Sequence, residues 1–255
     1  MKVIVTAPKG KMGKLIIKVA VDRDRIDVSA ALGPKGRDYI GEDVGFAAGL
    51  GYKINAPVVD DLEKVIEDCD VIIDFSTVEF SMEALRLAVK HKKPFICGTT
   101  GFSGEQLREI GCAAKEIPLL KASNTSYVVS LMKELLATAA KGLYGKADID
   151  IIEMHDRNKK DAPSGTSIEM AETMAKATGN GNDLDAVHFH SVRSGDISSS
   201  HTVIFGCLGE RLEITHHAHD WECFARGAVD AAFFLDGKAP GFYTMQDVIR
   251  AKTAE

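Results

Sequence analysis

Through its first half the chain alternates short apolar runs with helix-spaced patterns, and few folds accept that order. Residues 2–6, 26–32, 71–75, 94–97 and 118–121 read as strands. Residues 14–20, 62–66, 81–91 and 105–115 read as helices. A helix between successive strands is the crossover that parallel pairing needs, so these segments predict a doubly wound parallel sheet with right-handed connections.

Beyond residue 126 the pattern changes. A helix is expected over 130–141, a strand over 149–155 and a polar loop over 156–165. A helix over 168–177 should stop at Gly179, a residue suited to ending helices. Strands at 187–192, 201–208 and 211–217 suit an antiparallel or mixed sheet, and helices are expected over 225–235 and 244–251. The chain therefore divides into residues 1–125 plus 222–255, and an inserted α+β domain over 126–221.

Composition narrows the class. With 45% hydrophobic and 27% charged residues in 255, the chain has material for a globular core. A net charge of −6 argues against nucleic acid as a general partner. No apolar run is long enough to span a bilayer, and the start runs into Val3-Ile4-Val5 without a signal pattern, so no membrane partner and a cytoplasmic location are expected. Cys69, Cys97, Cys112, Cys207 and Cys223 form no CxxC, so buried reduced thiols are expected.

Ligands of doubly wound sheets sit beyond the C-terminal strand ends. The first such turn is Ala7-Pro8-Lys9-Gly10-Lys11-Met12-Gly13. A G-x-G-x-x-G turn lets backbone approach a pyrophosphate at a helix N-terminus. Gly10 and Gly13 are present, but its first two glycines fall at Ala7 and Lys9, so an ordinary strand–helix turn stays open. Lys9 and Lys11 could offset phosphate charge. After the second strand no acid awaits a ribose; Lys35 and Arg37 follow instead, which tilts the cofactor from NADH toward NADPH, a solvated basic turn being the alternative.

The densest chemistry lies in Glu153-Met154-His155-Asp156-Arg157-Asn158-Lys159-Lys160-Asp161-Ala162-Pro163-Ser164-Gly165-Thr166. Thr166 is expected to cap the next helix, with Glu169 completing a capping box. Ser164, Gly165 and Thr166 then offer hydroxyls and N–H groups at a positive helix end, an anion site suited to a carboxylate. His155 and Lys159 are the groups placed to move protons. A well-capped surface loop is the alternative.

That stretch resembles the signature Glu-x-His-His-x-x-Lys-x-Asp-Ala-Pro-Ser-Gly-Thr of the 4-hydroxy-tetrahydrodipicolinate reductases (dihydrodipicolinate reductases) of lysine and diaminopimelate biosynthesis. Further blocks follow in family order: Gly10-Lys11-Met12-Gly13, Asp74-Phe75-Ser76, Gly98-Thr99-Thr100-Gly101-Phe102, Val192-Arg193-Ser194-Gly195-Asp196-Ile197, Gly209-Glu210-Arg211 and Phe224-Ala225-Arg226-Gly227. The resemblance implies an N-terminal Rossmann-type domain carrying an inserted substrate and oligomerisation domain, and a homotetramer. It implies a nicotinamide cofactor along Ala7 to Met12, Gly98-Thr99-Thr100 and Ala122-Ser123-Asn124-Thr125. It also implies His155 and Lys159 as acid groups, and Gly165 and Thr166 on a carboxylate of a small dicarboxylate imine, with Asp156 and Ser164 alongside.

The chain departs from the family pattern in four places. Asp156 replaces the second histidine; it could orient His155 or pair with Arg157. Ala7 and Lys9 replace turn glycines, Asn124 to Val129 lacks an aromatic and a glycine, and Trp221 stands where a basic residue is common. Three functions follow: the family reductase, an oxidoreductase of the same fold acting on another amino or imino acid, or an inactive ligand-binding relative. His188, His190, His216, His217 and His219 lack the partners of a tetrahedral metal set, so no metal is expected.

Overall fold

The computed structural model describes residues 1–179, 181 and 184–253. It divides into two compact units: Met1–Ser126 with the segment from Glu222 onward, and Tyr127–Trp221.

The first unit holds strands β1 (Lys2–Thr6), β2 (Asp27–Leu32), β3 (Val58–Val59), β4 (Val71–Asp74), β5 (Phe95–Cys97) and β6 (Pro118–Lys121). Its helices are α1 (Lys11–Val21), α2 (Val44–Ala48), α3 (Val78–Lys90) and α4 (Gly104–Ala113). The expected helix over 62–66 is instead two 3₁₀ turns, Leu62–Lys64 and Ile66–Asp68. Asp61 caps the first of them from its side chain, and Val65 between them leaves the helical region at φ −129°. The strands, with β11 (Gly241–Tyr243) from the chain's end, form one parallel sheet ordered β11-β6-β5-β4-β1-β2-β3. The order reverses between β1 and β4, where such sheets open a ligand crevice.

Near-continuous Val and Ile runs suit strands covered on both faces. Ile4, Ile72, Phe95 and Leu119 pack on Met82, Leu85 and Ile110 of α3 and α4. Val3, Val5, Val71 and Ile73 alternate to the other face and are equally buried. Helix α7 (Glu222–Leu235) packs against α1 and lies on β4, β5 and β6; α8 (Met245–Thr253) packs on α7. A Cβ at Gly227 of α7 would sit 1.7 Å from the Thr125 carbonyl oxygen, so only glycine permits that approach.

The second unit comprises α5 (Tyr127–Gly142), β7 (Asp148–His155), α6 (Gly165–Thr178), β8 (Val187–Arg193), β9 (Ser199–Cys207) and β10 (Glu210–Ala218). The sheet is mixed: order β10-β9-β7-β8, with only the β7–β8 pair parallel. Helices α5 and α6 cover one face, where Met132, Leu136, Met170 and Met174 meet Ile151, Val203 and Phe205. Gly179 ends α6 in the left-handed region, φ 82°. Among the described residues no helix is long and apolar enough to cross a membrane. All five cysteines are free, but only Cys69 and Cys97 are buried; Cys112 is exposed and Cys207 and Cys223 are half-buried, which corrects the expectation of five buried thiols.

Candidate active site

Along β7 the covered face changes chemistry. Ile149 and Ile151 belong to the apolar core, and the next two positions on that face are Glu153 and His155. Register extends the polar end across the sheet. Glu153 stands between Ser191 and His201, His201 opposite His216, and His155 opposite Arg193. Glu153 and His201 are fully buried, and His155 and His216 nearly so.

The buried charge is matched. Glu153 Oε1 accepts from Arg193 Nη2 at 2.7 Å and Oε2 from Nη1 at 2.9 Å. Oε2 also pairs with His155 Nδ1. Burial opposes ionisation of Glu153, but hydrogen bonds from Arg193, Ser191 and His155 outweigh it and hold the carboxyl below its usual range. With Nδ1–H directed at Glu153, His155 leaves Nε2 as its working nitrogen, 3.3 Å from Ser199 Oγ. Burial is the largest single influence on His155 and lowers its pKa; Glu153 raises it, the Lys159 and Arg193 charges lower it, and the net shift is downward.

Behind His155 lies His201, edge-on with ring centroids 5.4 Å apart. Its Nε2 is 3.3 Å from Ser164 Oγ, the N-cap of α6. Burial and the neighbouring His155 and His216 drive the His201 pKa down to about 3, so its ring is neutral in ordinary buffers. Ser164 Oγ accepts the Ser167 N–H at 3.2 Å. This corrects the capping expectation. Ser164 has the extended cap backbone (ψ 151°), which places Gly165 and Thr166 in the first turn, and Glu169 pairs with Lys133 rather than closing a capping box. The positive end of α6 still begins at Ser164, Gly165 and Thr166.

Asp156 neither orients His155 nor pairs with Arg157. Its carboxylate accepts the Asn158 N–H at 2.8 Å, an Asx turn, and Glu153 takes the orienting place. Lys159 Nζ lies 2.9 Å from Asp161, and its hydrogen bond, helped by its charge, lowers the Asp161 pKa. Arg193 Nη2 donates to the Asp161 carbonyl at 2.6 Å, so one guanidinium fixes both the buried carboxylate and the loop. The unit thus brings together His155, Ser164, Glu153, Arg193, Ser199 and His201. The last four were not singled out as site residues. The two-residue spacing of Glu153 and His155 on one strand was the available signal for the first; the other three needed sheet register.

In the first unit, Ala7 adopts φ 50°, the left-handed region where the G-x-G-x-x-G turn has glycine. Its carbonyl accepts Gly10 N–H at 2.9 Å and fills the space a Cβ on Gly13 would need, 2.1 Å away. Gly10 caps α1 in extended conformation without a side-chain hydrogen bond, and no acid occupies the first turn. That bare helix end, with the glycine contact and the reversal of strand order, fits a dinucleotide pyrophosphate. Pro8 is buried, Lys11 exposed and Met12 half-buried. Lys9 is spent locally, 3.9 Å from Glu42 and over the Tyr39 ring at 5.3 Å. Lys35 and Arg37 are exposed.

A cavity of about 410 Å³ lies at the same strand ends, lined by Ala7, Gly10, Pro34, Phe75, Ser76 and Thr77, with the exposed Glu79 and Glu83 of α3 on its wall. Gly98 and Thr99 follow β5 beside it, Thr99 buried, with Thr100 exposed; the Phe75 ring occupies the place of a Gly98 Cβ. After β6, Ala122 N–H donates to Cys97, Ser123 is exposed, Asn124 accepts Ser126 N–H and Thr125 donates to the Phe224 carbonyl. On the outer face of the second sheet, His188 and His190 both approach Asp150, at 3.7 and 2.7 Å.

Comparison with known proteins follows the same division. Residues 1–125 match the family described as dihydrodipicolinate reductase, N-terminus, and residues 128–249 its C-terminus. A 4-hydroxy-tetrahydrodipicolinate reductase from Hahella chejuensis (strain KCTC 2396) is 40% identical over 266 residues, covering 98% of this chain and 99% of that one. A solved dipicolinate-bound dihydrodipicolinate reductase from Paenisporosarcina sp. TG-14 superposes with TM-score 0.79 at 24% identity, covering 96% and 97%. An amine dehydrogenase from Mycobacterium smegmatis reaches 0.70 at 13% identity, covering 96% and 95%; both likenesses are of fold. Matched end to end by both family halves and by a relative of nearly equal length, the chain belongs to the dihydrodipicolinate reductase family.

Proposed function

We propose that this chain reduces 4-hydroxy-tetrahydrodipicolinate to tetrahydrodipicolinate with a nicotinamide dinucleotide, NADPH in preference to NADH, in lysine and diaminopimelate biosynthesis. The net change adds one hydride and one proton and releases one water. The bound cofactor supplies the hydride. The first unit's share is to hold it through the Ala7–Met12 turn, Gly98–Thr100 and Ala122–Thr125, with Lys35 and Arg37 toward a 2′-phosphate. The second unit's share is the proton and the dicarboxylate. One observation carries the reading: the covered face of β7 ends in a buried, carboxylate-oriented histidine, with His201 between it and the Ser164-capped start of α6.

Once the 4-hydroxyl has left as water, hydride addition to the conjugated imine would leave enamine-like negative charge on the ring, and His155 gives the proton from Nε2 while Glu153 holds Nδ1. Lys159 exchanges Asp161 for a substrate carboxylate and offsets its charge. Gly165 and Thr166 hold a carboxylate at the α6 N-terminus, with Ser164 setting the helix start and Asp156 shaping the loop. A homotetramer in the cytoplasm is the family-like setting for this unit's sheet. Replacing His155 by glutamine or Lys159 by alanine lowers kcat by about a hundredfold or more, with cofactor affinity by calorimetry unchanged. Normal rates in both variants would remove the proton assignment.

A further inference from the structure

Asp74 is fully buried at the end of β4 in the first unit, and the proton chemistry makes no use of it. Its carboxylate accepts three side-chain hydroxyls. Thr6 Oγ1 donates to Oδ1 at 2.7 Å, Ser76 Oγ to Oδ1 at 2.6 Å and Thr99 Oγ1 to Oδ2 at 2.8 Å. Two of those hydroxyls also accept backbone: Phe75 N–H reaches Thr6 Oγ1 at 3.2 Å and Ser76 N–H reaches Thr99 Oγ1 at 2.9 Å. The result is a continuous bridge from the end of β1, across β4, to the residue after Gly98 beyond β5.

The bridge joins the segments on which the dinucleotide reading rests. Thr6 leads straight into left-handed Ala7, and Thr99 lies between Gly98 and Thr100. β1 and β5 are not neighbours; β4 separates them. Backbone bonds already tie Ala7 to Leu32 and Gly98 to Asp74; the hydroxyls add a link from one turn to the other. Phe75 and Ser76, next to Asp74, line the cavity at these strand ends. A carboxylate facing a pyrophosphate would repel it. This one is buried with three hydroxyl protons pointed at it, so it organises the crevice without presenting its charge.

We infer that Asp74 is a positioning residue for the dinucleotide, holding the Thr6–Ala7 turn and the Gly98–Thr100 segment at one spacing through Thr6, Ser76 and Thr99. The inference rests on the cofactor reading above. Asp74→Asn replaces an acceptor by a donor and leaves one hydroxyl proton without a partner. The expected result, by calorimetry on the full chain, is an NADPH dissociation constant raised about tenfold, with affinity for pyridine-2,6-dicarboxylate unchanged. At saturating NADPH, kcat and its pH profile return to normal, so the loss falls on cofactor KM.

A lowered melting temperature with NADPH affinity unchanged would overturn the inference and leave Asp74 a packing residue. If Asp74→Asn does not fold, Thr6→Val and Thr6→Ser decide. The valine variant should bind NADPH more weakly and the serine variant, which keeps the hydroxyl, normally; equal binding overturns the inference. Should the unaltered protein bind neither NADPH nor NADH, the cofactor reading itself fails, and that outcome is distinct from both.

Discussion

Replacing His201 by glutamine should remove much of the protein's sensitivity to acid. His201 is fully buried and its folded pKa is about 3, against 6.5 for an exposed histidine. The folded state therefore binds fewer protons at this site than the unfolded state between those values, and stability present above pH 6.5 is lost as pH falls toward 3. At pH 4.5 the unfolded histidine is two pH units below its pKa while the folded ring is still neutral, so this site costs about 2.5 kcal/mol relative to pH 7.5. Glutamine does not titrate. The variant loses packing at every pH, but its loss of stability from pH 7.5 to 4.5 should be about 2.5 kcal/mol smaller than in the unaltered protein. Urea unfolding at both pH values, followed by the fluorescence of Trp221, the one tryptophan, in the same unit as His201, measures the difference. Equal pH-dependent losses in the two proteins would refute the idea that His201 is held neutral by burial.

Other consequences can be checked separately. Glu153→Gln removes the group that raises the His155 pKa, so the decline of kcat/KM with rising pH should begin at lower pH than in the unaltered enzyme. The same change strands Arg193 and should cost about 3–5 kcal/mol of stability, read by urea unfolding. Gly13→Ala puts a methyl 2.1 Å from the Ala7 carbonyl and should both lower the melting temperature and weaken cofactor binding. Neutralising Lys35 and Arg37 together should weaken NADPH about tenfold and NADH little; equal losses for both dinucleotides would remove the 2′-phosphate argument.

Local periodicity carried much of the architecture into the sequence. The parallel strands are apolar runs with helices between them, and β1 and β6 occupy the residues that the pattern marks. The short elements were not legible. β3 has two residues, α2 five and β11 three, and each depends on its neighbours: β3 on pairing with β2, β11 on pairing with β6, and α2 on its Asp43 cap. For the site, the stretch Glu153 to Thr166 pointed to a histidine and an anion-binding helix start. What it left out was cross-strand. Arg193 and His201 lie far along the chain and meet Glu153 only through the register of β7 with β8 and β9. The cap moved from Thr166 to Ser164 for a related reason: both hydroxyls satisfy the local pattern, but only Ser164 has the extended backbone, with His201 beside its hydroxyl.

The reductase reading is tested most directly by coupled turnover. The imine substrate, made freshly by the preceding synthase, is supplied to the purified full chain, and oxidation of NADPH and NADH is followed by absorbance. Oxidation that depends on both the synthase product and this chain, faster with NADPH, is the expected result. Failure to oxidise either dinucleotide, with calorimetry showing the cofactor bound, would contradict the substrate assignment and turn attention to another amino or imino acid.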